Sequence, residues 1–130
     1  MIRNLLLGNL LLGMVGFALT VAPISASAAG DAAKGKAAFE TNCASCHGTS
    51  GKGDGPVGAA LPEPKPRDFT TGAFKYDTDK DGKPGTDADL VNVVKNGAAA
   101  YGGNAMMAPW GQLSDSDIAD IVAYVRTFKK

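Results

Sequence analysis

Cys43-Ala44-Ser45-Cys46-His47 constrains this chain more than any other feature. These five residues hold both cysteines and the only histidine of the 130-residue sequence. Three readings of a C-x-x-C pair meet obstacles here. A dithiol redox site expects a β-α-β setting, and no convincing strand pair is visible along the chain. A tetrahedral zinc site draws four ligands, usually from two separated pairs, and there is no second pair. A plain disulfide would account for the cysteines and leave His47 without a role.

The spacing C-x-x-C-H is the attachment motif of a c-type haem. Two thiols three positions apart on a helical turn can each add to a vinyl group on one haem edge. The next residue then offers its imidazole to the iron as the proximal ligand. With His47 spent, a sixth ligand has to come from another residue type. Methionine is the usual choice and raises the reduction potential. Met106 and Met107 are the candidates, adjacent in a Gly-rich, Pro-bounded loop. A methionine more often fills a gap in a core, but two neighbours among small residues are poorly explained that way. On ligand chemistry alone the two stay equivalent. No acid–base pair or free nucleophile of the usual kind is evident, so the expectation is an electron carrier and not an enzyme.

The chain opens with the basic start Met1-Ile2-Arg3-Asn4 and an apolar stretch from Leu5 to Ala22. Pro23 and the small residues around Ala26-Ser27-Ala28 follow. This order reads as a secretory signal peptide over residues 1–28, cleaved after Ala28. The expected destination is the periplasm, with one domain over residues 29–130. An uncleaved membrane anchor is the alternative, since the apolar stretch is about long enough to span a bilayer. Gly8, Asn9, Gly13 and Gly16 weaken it. Cleavage removes Arg3, Met1 and Met14, and leaves twelve Lys and Arg against thirteen Asp and Glu, a formal net charge of −1. That balance lacks the clustered basic surface nucleic acid requires. No second hydrophobic stretch of membrane length follows. A domain of about 100 residues buries only a modest core, and a large apolar prosthetic group would fill the missing interior.

The pattern predicts an all-α domain of three main helices. The first spans about Asp31 to Asn42, with Asp31 as N-cap and Gly35 marking a close approach. A Gly-rich stretch, Gly48 to Gly58, and the Pro-rich Leu61-Pro62-Glu63-Pro64-Lys65-Pro66 exclude helix and central strand. In so short a chain they are expected to wrap something. The second helix starts at Thr86, where Asp89 completes a capping-box pattern. It presents Leu90, Val91, Val93 and Val94, and closes at Gly97 in a left-handed cap. The third starts at Ser114, runs from about Asp115 to Lys129, and carries Ile118, Ile121, Val122, Val125 and Phe128 at helical spacing.

From Gly30 to Lys130 the sequence resembles a class I monohaem c-type cytochrome of the bacterial periplasm. Gly35 and Phe39 match the glycine and aromatic of that family's first helix, and Tyr124 matches the aromatic that packs across the glycine. Met107-Ala108-Pro109-Trp110 matches the loop bearing the methionine ligand. The resemblance implies the small cytochrome c fold, three helices wrapped around one covalent haem c with extended Gly/Pro-rich loops. It implies Cys43 and Cys46 as attachment points, with His47 and Met107 as axial ligands. It further implies single-electron transfer with transient redox partners: dehydrogenases, bc1-type complexes, terminal oxidases or reductases. A haem subunit of a larger periplasmic oxidoreductase complex is the second reading. A self-standing enzyme or gas sensor, needing an open distal site, is the third. By the same resemblance the Pro56 carbonyl accepts a hydrogen bond from the proximal imidazole. Arg67 pairs with a haem propionate or is simply a solvated charge, and Trp110 packs nearby.

Asp77-Thr78-Asp79-Lys80-Asp81-Gly82 fits the first half of a calcium loop. The twelfth position is Ala88 where such a loop carries a bidentate Glu. Asp77, Asp79 and Asp81 therefore read either as calcium ligands or as a polar turn.

Overall fold

A computed structural model describes residues 29–130. The signal peptide expected over residues 1–28 lies outside the described residues. Within them all regular structure is helical: α1 Ala32–Asn42, α2 Ala44–His47, α3 Pro56–Ala60, α4 Asp87–Asn96 and α5 Asp115–Arg126, with a 3-10 turn at Ala98–Tyr101. The three expected helices are α1, α4 and α5, so the all-α fold stands. No helix among the described residues is long and apolar enough to cross a membrane.

Packing begins where α1 meets α5. Asp31 caps α1 by accepting from the Ala33 and Lys34 N–H groups. Its own N–H donates to Asp120 Oδ1 at 2.6 Å, clasping the start of α1 to α5. Gly35 lies flat against α5, and a Cβ there would collide with the Asp120 carbonyl. One turn on, Phe39 is 1% exposed. Its ring sits 5.4 Å from those of both Tyr124 and Phe128. Ile118, Ile121, Val122 and Val125 bury the matching stripe of α5. Each such side chain contributes about 1.5–3 kcal/mol on full burial, so this pair of helices is the mechanical centre of the domain.

α4 starts on the expected reciprocal cap. Thr86 Oγ1 accepts from the Asp89 N–H, and Asp89 Oδ2 accepts from the Thr86 N–H. Lys95, in its last turn, pairs with Asp115 at 2.7 Å and ties α4 to α5.

Three expectations need correction. Gly97 does end α4, but at φ 79°, ψ 156° it is not a left-handed cap. The reason is crowding: a Cβ there would sit 2.9 Å from the Met107 carbonyl oxygen and 3.0 Å from Pro109 N. The glycine is needed for that approach. Helix α3 breaks the stretch expected to be wholly irregular, because Pro56 is pre-set for the first helical position. The last helix ends at Arg126, where the Thr127 and Phe128 N–H groups fold back onto Tyr124 and Val125.

Candidate functional site

The C-x-x-C-H residues extend α1 by one turn. The Cys43 N–H donates to the Phe39 carbonyl at 2.8 Å, and the His47 N–H donates to the Cys43 carbonyl at 2.9 Å. Helical continuation across Cys43 is what puts both thiols and the imidazole on one wall. Both thiols are free and half-buried. Burial, aided by the neighbouring Cys46, pushes the Cys43 thiol up to about 11. A thiol held protonated is a poor nucleophile.

His47 is buried, and its ring stacks on Phe69 at 4.6 Å and 18°. Burial lowers its pKa, and the adjacent Arg67 carbonyl opposes that only in part. Nδ1 has no hydrogen-bond partner. The expected bond from this nitrogen to the Pro56 carbonyl is therefore absent. Pro56 opens α3, where helical carbonyls run along the helix axis.

Cys43, Cys46 and His47 line a cavity of about 300 Å³. Leu90, Val93 and Val94 of α4 and Val122 and Val125 of α5 give it apolar walls. Met106 and Met107 both line it, but they differ in burial. Met106 is 62% exposed, whereas Met107 is half-buried. The methionine loop is held at three points. Ala98 N–H donates to the Met107 carbonyl at 3.1 Å, and Trp110 N–H donates to the Val94 carbonyl at 3.0 Å. Asn104 Nδ2 donates to the Pro62 and Pro64 carbonyls at 3.1 and 3.2 Å. The Pro-rich stretch thus wraps the cavity as expected, with Leu61, Pro64 and Pro66 on its wall.

Arg67 and Trp110 line the same cavity, and Arg67 forms no ion pair among the described residues. Sequence reasoning gave Phe69 no role, although it stacks on the imidazole. It also missed Arg126, which bonds Asp87 and the Gly85 carbonyl and lies 4.8 Å over the Phe74 ring. Arg126 fastens the 74–87 segment against α5. No local pattern announces such a long-range anchor.

The aspartate loop gathers differently from the sequence expectation. Asp77 and Asp79 lie with Asp89, not Asp81, their carboxylate oxygens within 4.8 Å of one another. Asp81 instead accepts from the Lys83 N–H at 2.8 Å, and Asp77 accepts from the Asp81 and Gly82 N–H groups. These are the bonds of a polar turn.

A helical domain whose end helices cross at a glycine, and whose apolar cavity presents C-x-x-C-H and a methionine loop, defines a c-type cytochrome domain. The sequence model of the family described as Cytochrome c matches residues 32–129, and the chain belongs to that family. It is 36% identical to cytochrome c-554(547) of Halothiobacillus neapolitanus over 78% of this chain and all of that protein. It is 35% identical to the cbb3-type cytochrome c oxidase subunit FixP of Azorhizobium caulinodans, covering 82% of this chain but only 31% of the subunit. The chain thus spans under a third of that relative. Among solved structures, a chain of the reducing HAO-like protein complex of Kuenenia stuttgartiensis superposes with a TM-score of 0.63 at 35% identity, over 74% of this chain and 41% of that one. The family implies covalently held haem c, and the residues fit it: two free thiols one turn apart beside a buried imidazole, facing an apolar cavity.

Proposed function

We propose that this protein is a periplasmic electron carrier, a monohaem cytochrome with haem c joined to Cys43 and Cys46 and its iron held by His47 and Met107. The observation that carries the reading is that these four residues, separated by up to 64 positions, line one apolar cavity. A bound haem supplies the one-electron couple of its iron. The protein's part would be to offer His47 and Met107 to the iron, leaving no room for a substrate there, and to keep water away with Leu90, Val93 and Val125. His47 would serve as one ligand, its ring fixed by Phe69 and by the turn shared with Cys43. Met107 would serve as the other in preference to Met106, because its backbone is tied to Ala98 and its side chain is half-buried. Residues 1–28 serve as the export signal, and N-terminal sequencing of the secreted protein should begin at Ala29.

A reduced-minus-oxidised visible spectrum, with a near-infrared scan for the methionine–iron charge-transfer band, tests cofactor and sixth ligand together. Ready carbon monoxide binding by the reduced protein at neutral pH would sink the filled distal site.

A second reading has support of its own: FixP is named as an oxidase subunit, and the Kuenenia chain belongs to a protein complex. On it, this chain is the haem subunit of a larger oxidoreductase. The full-length match to cytochrome c-554(547) favours the free carrier. Stoichiometric co-purification of a catalytic partner would reverse that preference.

A further inference from the structure

One carboxylate shares the cavity wall with the apolar residues. Asp89, in the first turn of α4, is 0% exposed and is the only acidic side chain lining the cavity among the described residues. Burying a charge is costly unless something replaces its lost water. Here four donors do so. Oδ1 accepts from the N–H and hydroxyl of Thr78, and Oδ2 accepts from the N–H and hydroxyl of Thr86. Asn92 Nδ2 donates to Thr78 Oγ1 at 2.9 Å, which leaves the Thr78 hydroxyl hydrogen to point at Asp89. This donor set holds the carboxyl far below the usual carboxylate range.

A capping box needs only the Oδ2 half of this arrangement. The Oδ1 half, reaching a residue eleven positions upstream, adds nothing to the helix start. It does hold the anion in place. No Lys or Arg pairs with Asp89; the ion pairs among the described residues involve Glu40, Asp87 and Asp115. Neutral dipoles stabilise the charge without cancelling it, and although Lys65, Arg67 and Lys75 also line the cavity, none of them pairs with Asp89. Asp77 and Asp79 stand close by, but they are half-exposed and exposed, and solvent and salt screen such charges.

We infer that Asp89 is an electrostatic tuning residue, whose buried carboxylate favours the oxidised iron and lowers the reduction potential of the bound haem. The inference rests on the reading that a haem fills this cavity. Reduction adds one electron and removes one positive charge from the iron, so a nearby fixed anion stabilises the oxidised state more.

The test is the reduction potential of the haem-loaded Asp89→Asn protein in metal-free buffer, against wild type. An upward shift is expected, and it should persist at about 1 M salt, where the Debye length is about 3 Å. The direction separates the two roles Asp89 can have. Loosened packing would admit water, which favours the charged oxidised form and moves the potential down. Asp89→Glu, which keeps the charge, should stay near wild type. Should Asp89→Asn not fold, Asp89→Ser carries the same expectation. An unchanged or lowered potential overturns the inference, and so does failure of both neutral variants to fold with haem. The wild-type visible spectrum tests the haem reading separately.

Discussion

The N–H of Ala98 donates to the carbonyl of Met107 at 3.1 Å, so the 3-10 turn that follows α4 holds the methionine loop by its backbone. Gly97 makes this possible, since any side chain there would meet Met107 and Pro109. Gly97→Ala should destabilise the protein by about 1–3 kcal/mol, from a positive φ forced on a non-glycine residue. Urea unfolding measures that loss. The charge-transfer band of the haem protein should weaken in step, because the displaced segment is the one that carries Met107.

Met107→Ala should abolish the methionine–iron band and lower the reduction potential, since Met/His ligation raises it. Met106→Ala should leave both unchanged, in keeping with its 62% exposure. Near-infrared spectra of the two variants decide, and the opposite pattern would move the ligand to Met106.

Gly35→Ala should cost about 1–3 kcal/mol by overpacking. Its Cβ strikes the Asp120 backbone, which cannot swing aside as a flexible side chain would. The urea midpoint should fall, with the slope m unchanged if the denatured state is unaffected.

The protein carrying both Cys43→Ala and Cys46→Ala should fail to hold native helix content. Among the described residues only seven apolar ones are buried without the prosthetic group, a small core for a domain of this size. Far-ultraviolet circular dichroism checks this. Full helicity with a cooperative melt and no haem would contradict it.

Stability should fall on the acid side through Asp89. Its folded pKa lies below its unfolded one, because Thr78 and Thr86 bond the ionised form. Its contribution is therefore complete above the unfolded value, about pH 4, and is lost as pH drops from there toward the folded value. Urea midpoints between pH 2 and 7 should show an acid slope that is shallower in Asp89→Asn.

Much of this was legible in the residues themselves. Asp31, Thr86 and Ser114 cap the helices they announce, and Phe39 meets Tyr124 beside the Gly35 crossing, in keeping with the family resemblance. These signals are local, or belong to helices with clear periodicity. What stayed hidden depends on contacts between distant loops. Thr78 reads as a turn residue until Asp89 is found behind it, and Phe69 reads as a lone aromatic until the imidazole stacks on it. The Gly97 backbone was misjudged for the same reason, since its conformation answers to a loop ten residues on. The calcium pattern grouped Asp81 with Asp77 and Asp79 by sequence spacing, whereas the chain turns to bring Asp89 there instead.

The crossing of α1 with α5 has a consequence for how such a chain comes into being. Phe39 finds its partners at Tyr124 and Phe128, 85 and 89 positions later. A polypeptide delivered N-terminus first cannot bury Phe39 against these rings until α5 and Phe128 have been made. Until then it exposes an unfinished apolar surface, and closing so long a loop carries an entropic cost that local contacts do not offset early. The α1–α5 crossing is thus completed only once α5 itself has been made.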